Sequence, residues 1–171
     1  MFQHLLVRRR LLQVSCGLVI LGSGALSEAA VSVTTDHQPV SFGVMELGEE
    51  KTLARYGTYQ NQVTCSSSNG QPWYVKISAL SPFSSLSVPG ETIPLERFGW
   101  QITWTNGKGV LMSPHQFTPF SLLPQLAYIS NADEARGEAV SFQFSYALQM
   151  PQAQVSGMYQ TTIRITVTEL Q

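Results

Sequence analysis

Along most of this chain apolar and polar residues alternate one by one. In "GMYQTTIRITVTELQ", Tyr159, Thr161, Ile163, Ile165 and Val167 fall on one side of an extended backbone. Gln160, Thr162, Arg164, Thr166 and Thr168 fall on the other. A period of two is what a strand with one buried and one wet face requires. "VSFQFSYALQM" repeats it, with Val140, Phe142, Phe144, Tyr146 and Leu148 on one face. So does "WYVKISA", through Trp73, Val75 and Ile77. In "FGWQITWTNGKGVLM" the stripe is Phe98, Trp100, Ile102 and Trp104, and all three tryptophans of the chain are therefore expected in a core. Asn106-Gly107 predicts a tight hairpin turn after that stripe.

Shorter extended pieces precede these: two around Pro39, then "KTLARYG" and "QNQVTCS". The proline-rich stretches "SPFSSLSVPGETIP" and "SPHQFTPFSLLPQ" read as loops or edge segments, because proline cannot donate to a sheet ladder. "NADEARGEA" reads as a polar turn with at most one turn of helix. No segment keeps a helical period beyond two turns. About ten short strands at regular spacing predict an all-β fold, an antiparallel two-sheet sandwich of immunoglobulin-like type. A closed barrel is the alternative, less suited to strands of irregular length.

The N-terminal part departs from this pattern. Arg8, Arg9 and Arg10 precede the apolar run "LLQVSCGLVILGSGAL" and the small residues of "ALSEAA". That layout predicts a secretory signal peptide over residues 1–30, leaving residues 31–171 as one β-sandwich domain and no permanent membrane span. A transmembrane anchor is the rival reading. It fits less well because Gln13, Ser15, Gly17, Gly22, Ser23 and Gly24 dilute a run that needs about 20 solidly apolar residues. An exported location follows: periplasm, cell surface or extracellular space.

Without that leader Cys65 is the single remaining cysteine, read as a buried thiol in a strand. Losing Arg8, Arg9, Arg10 and Glu28 leaves seven basic and ten acidic residues, a net charge near −3. There is no lysine or arginine run, so nucleic acid is not an expected partner. Charged residues make up only 12% of the chain, about half the usual share. The wet faces are built from Ser, Thr, Gln and Asn instead, which gives weak protection against pairing between sheet edges.

Catalytic motifs are missing. There is no H-E-x-x-H, C-x-x-C, glycine-rich phosphate loop or G-x-S-x-G. His37 and His115 stand in proline-flanked loops, and Asp36-His37 has no evident third metal ligand. The expectation is a non-catalytic protein with no cofactor and no metal site. An enzyme would need Asp36, Glu91, Glu96 or His115 gathered in one cleft. Phe83, Phe117 and Phe120, in the loop stretches, are the candidate exposed aromatics.

Three stretches carry a resemblance: "VSFGVMELGEEKTL", "VTCSSSNGQPWYVKIS" and "SGMYQTTIRITVTEL". An "FG-x-x-x-x-G" opening, a strand–"SN-G"–strand hairpin with an aromatic, and a closing "G-x-Y-x-x-x-I-x-I-x-V" strand resemble bacterial exported sandwich proteins of the spore coat protein U and pilin-subunit type. The last strand is also similar to that of WxL-type surface domains. The resemblance implies a structural or adhesive subunit, with protein partners through self-assembly or an assembly chaperone. It further implies strand complementation, in which a segment of one chain fills the sheet of another. Tyr159, Thr161, Ile163, Ile165 and Val167 would then be the receiving edge, and Val31 and Val33 the candidate donor. Two alternatives stay open beside it. The domain is self-complete, with the last strand pairing on "VSFQFSYALQM", or it is a carbohydrate-binding module with a glycan as partner.

Overall fold

The computed structural model describes residues 12–22, 31–36, 39–53, 61–112 and 116–169. They form two sheets packed face to face, the two-sheet sandwich that the alternation predicts. The first sheet runs β10 (Val110–Leu111), β12 (Gln125–Ile129), β6 (Trp73–Ala79), β14 (Met158–Glu169), β1 (Leu12–Gly22) and β3 (Val40–Met45). β7 (Phe83–Ser85) joins it on β14, and β8 (Thr92–Ile93) joins β7. The second runs β11 (Thr118–Pro119), β9 (Phe98–Thr105), β13 (Val140–Gln149), β5 (Asn61–Ser67) and β2 (Val31–Thr35), with β4 (Glu50–Leu53) on β13.

The long alternating segments become the centres of the two sheets. Val140, Phe142, Phe144, Tyr146 and Leu148 of β13 are all buried, as are Tyr159, Thr161, Ile163, Ile165 and Val167 of β14. Between them lies a core rich in aromatics. Phe98 stacks on Phe120 with centroids 4.3 Å apart and meets the edge of Phe83 at 4.9 Å. Tyr128 sits 4.8 Å from Phe142 and 5.8 Å from Trp73. Such pairs add about 0.5–1.5 kcal/mol each beyond the area they bury.

Several expectations need correction. β14 does not pair with β13, which lies in the opposite sheet; its antiparallel partners are β6 and β7. Phe83 and Phe120 are buried, 0% and 4% exposed, because the proline-rich loops that carry them fold onto the end of the core. The first of those loops also forms the short β7–β8 hairpin. The "SN-G" stretch joins β5 to β6 across the sandwich instead of forming a hairpin.

Asn106-Gly107 likewise carries the chain from β9 in one sheet to β10 in the other. Its Asn side chain holds β13, donating to the Ala139 carbonyl at 3.3 Å and accepting from the Ser141 N–H at 2.7 Å. Glycine is needed there for room rather than for a positive φ. A Cβ on Gly107 would collide with the Tyr128 hydroxyl, and one on Gly109 with the Ile129 carbonyl.

"NADEARGEA" does contain one short turn of 3-10 helix, Glu134–Arg136. Its Glu134 is 1% exposed and ties its own loop to β12 and to the loop at Lys108. The carboxylate accepts from the Tyr128 hydroxyl at 2.7 Å, the Lys108 N–H at 2.6 Å and the Asn131 N–H at 2.7 Å. A carboxylate is tolerated inside because several donors replace the water it lost.

Candidate functional site

β14 is the element on which the candidate edge residues stand, and its two sides differ. One side pairs with β6 from Ile163 to Glu169 and with β7 at Tyr159 and Gln160. The other side is occupied by β1, the apolar run that the sequence assigns to a leader. β1 pairs with β14 in parallel, from Gln13 opposite Met158 to Gly22 opposite Val167. On its far side β1 pairs antiparallel with β3, from Leu12 opposite Met45 to Cys16 opposite Val40.

β3 therefore reaches β14 only through β1. Strands in a sheet lie about 4.8 Å apart, so β3 and β14 stand about 10 Å apart with one strand's width between them. This slot is the candidate functional site. Its floor is apolar: Tyr159, Thr161, Ile163, Ile165 and Val167 from β14, and Val40, Phe42 and Met45 from β3, all buried. The register places Val14, Cys16, Leu18, Ile20 and Gly22 opposite those five β14 residues in turn.

A bulge shapes the β3 wall. Val14 pairs with Gly43 and Ser15 with Ser41, which leaves Phe42 as an extra residue. Gly43 takes a φ of 67°, a backbone conformation open to glycine. With the bulge, Phe42 and Met45 both turn inward although they are three residues apart. Three hydrogen bonds pin the ends of β14. The Tyr159 hydroxyl donates to the Val155 carbonyl at 2.8 Å, and Glu169 accepts from Asn69 Nδ2 at 2.7 Å and from the Ser67 hydroxyl. Thr161 is buried but paired, donating to the Ser81 carbonyl at 2.5 Å.

The candidate donor lies elsewhere. Val31 and Val33 belong to β2, which pairs antiparallel with β5, and both pack against the core. They are engaged within their own domain, so donating them to another chain would first require β2 to leave β5. Of the candidate exposed aromatics only Phe117 is partly open, at 37%. It borders a shallow cleft of about 190 Å³ together with Glu50, Glu96, Arg97 and Gln149.

The residues an enzyme would have needed are separately engaged. The Asp36 carboxylate accepts from the Gln62 N–H at 2.7 Å, Glu91 accepts from Gln154 Nε2 at 3.4 Å, and Glu96 borders the Phe117 cleft. His37 and His115 lie outside the described residues. Among the described residues no group of three or more His, Cys, Asp or Glu is placed to hold a metal. No helix among them is long and apolar enough to cross a membrane. Cys65 is fully buried on β5, and loss of solvation pushes its thiol up to about 12. A thiol so placed is inert, since the thiolate is the nucleophile.

The resemblance puts a receiving edge on β14; what sequence reasoning missed is that residues 12–22 lie along that edge and that β3 forms the opposite wall. No protein-family model matches this chain, and no curated protein matches it in sequence.

Proposed function

We propose that this protein is an exported, non-catalytic structural or adhesive subunit of a surface assembly, and that it acts by accepting a β-strand from another protein chain into the slot between β3 and β14. The observation that carries this reading is the place of β1. A segment with the composition of a leader lies where the sheet has one strand's width to fill, paired along both sides. Once such a leader is removed, β14 and β3 present two facing rows of unpaired N–H and C=O groups over an apolar floor. An extended peptide satisfies both rows at once, which is strand addition with two edges instead of one. The resemblance to exported sandwich proteins of the spore coat and pilin type agrees with it, as does a wet surface poor in charge, which leaves strand edges open to pairing.

The test is the association of residues 31–171, purified and checked for strand content by circular dichroism. Light scattering after size exclusion, over a concentration series, is expected to show oligomers that grow with concentration. A folded monomer at every concentration that also fails to bind a peptide of residues 12–22 would overturn the proposal.

A further inference from the structure

Of the three tryptophans, Trp73 and Trp100 are buried, 0% and 1% exposed, whereas Trp104 is 45% exposed. The alternation Phe98, Trp100, Ile102, Trp104 should have carried the last ring into the core. A bulge prevents it. Ile102 stands opposite Phe144 and Trp104 opposite Gln143, so Thr103 is an extra residue in β9. One added residue reverses every side chain after it, which is how bulges re-aim a side chain. The Thr103 hydroxyl donates to the Gln143 carbonyl at 3.2 Å and holds the bulge in place.

The indole is thereby set on the outer face of the second sheet. Beside it stand Gln143 and Gln62, the former's Nε2 donating to the latter's Oε1 at 3.4 Å. Next come the hydroxyls of Thr64 and Ser141, 2.8 Å apart. Strand alternation puts Gln62 and Thr64 of β5, Ser141 and Gln143 of β13, and Ser32 and Thr34 of β2 on this same face. None is charged. Trp104 is the large apolar side chain exposed at this end of the face; Phe117 lies further along it, beside Gly99.

We propose that Trp104 and the Gln and Ser/Thr side chains around it form a binding site for a neutral oligosaccharide, separate from the strand slot. The indole offers a flat apolar face to the C–H face of a pyranose, and the half-buried Gln62, Thr64 and Ser141 offer amide and hydroxyl groups to the sugar's hydroxyls, while Gln143, 8% exposed, supports Gln62 from below. A nucleic acid would require clustered positive charge, and none of the residues around the indole supplies it. A protein partner docking by burial would require more apolar surface than one ring.

The buried state of Trp73 and Trp100 makes the test selective, since acrylamide quenching of the native protein reports on Trp104. The probes are maltohexaose, cellohexaose and N-acetylchitohexaose, each titrated into the full chain while emission and quenching are followed. At least one is expected to shift the emission and to protect the indole from acrylamide. Trp104→Ala is expected to weaken that binding about tenfold or more. Because the ring is solvent-facing, the variant should keep the parent's melting temperature, and Trp104→Phe should retain part of the affinity. No response to any of the three sugars at millimolar concentration would overturn the proposal. Unchanged binding by the folded Trp104→Ala variant, measured by calorimetry, would do the same.

Discussion

Removing residues 1–30 tests the slot quantitatively, because the contribution of β1 to the sheet can be worked from its pairing. β1 is 11 residues long and is matched with β14 from Gln13 to Gly22 and with β3 from Leu12 to Cys16. A slot about 33 Å long and 10 Å wide covers about 300 Å² of floor. At about 25 cal/mol per Å² of apolar surface, covering it is worth about 8 kcal/mol. The two ladders supply about 14 backbone hydrogen bonds, at about 1 kcal/mol net each. Against that, ordering the strand costs about 1.5 kcal/mol per residue, or about 16 kcal/mol. The difference favours the filled slot by about 6 kcal/mol, comparable with the whole stability of many domains. Residues 31–171 should therefore melt roughly 15–25 °C below the full chain at low concentration. A synthetic peptide of residues 12–22, with serine at Cys16 to prevent oxidation, should raise the melting temperature in a dose-dependent way as mass action requires. Scanning calorimetry of the three samples reads all of this. A truncated protein that melts within about 3 °C of the full chain, and ignores the peptide, would refute the reasoning about the slot.

Three further outcomes are expected. Glu134→Ala should cost about 3 kcal/mol or more in denaturant titrations, because it leaves the Tyr128 hydroxyl and the Lys108 and Asn131 amides without their buried acceptor. Gly109→Ala should cost about 1–3 kcal/mol through the collision of its Cβ with the Ile129 carbonyl, whereas Gly90→Ala, whose Cβ would meet nothing within 4 Å, should lose only what its left-handed backbone demands. Stability should fall as the solution is made alkaline, since burial raises the folded thiol of Cys65 from 9.0 to about 12 and raises the Tyr128 phenol above its ordinary 10.0. The unfolded chain loses those protons first, so the Cys65 share drains away above pH 9 and the Tyr128 share above pH 10, at about 1.4 kcal/mol per pH unit for each group. Denaturant titrations from pH 8 to 11 should show that slope, with the Cys65 share absent in Cys65→Ala.

Much of the sandwich was legible because its central strands obey a strict period of two. Tyr159 to Val167 and Val140 to Leu148 each turn one face inward over their whole length, and nothing local interrupts them. What stayed hidden was pairing. Alternation states which residues face the core but says nothing of which strand lies alongside, and loops such as Asn106–Gly109 carry the right residues for a hairpin while crossing between sheets. Glu134 was illegible for a different reason. Its burial depends on donors from residues 108, 128 and 131, brought together only by the fold.

Three bulges interrupt the described ladders, at Phe42, Thr103 and Ala127, and the first two show how a departure from alternation becomes informative. At Phe42 the extra residue turns an aromatic inward beside the slot, and at Thr103 it turns one outward onto a face of Gln, Ser and Thr side chains. Neither leaves a mark in the polarity pattern, since "FGVM" and "ITWT" are compatible with either register. Both sit where the sandwich offers something beyond its own core: one at the wall of the strand slot, the other beneath the exposed indole. Because the added residue is Thr103, deleting it leaves Trp104 directly after Ile102, still opposite Gln143 and turned outward. The deletion is expected to keep the indole open to acrylamide and to cost about 1 kcal/mol, through loss of the Thr103 hydroxyl's bond to the Gln143 carbonyl. A deletion variant whose Trp104 becomes protected from acrylamide would refute this account of the bulge.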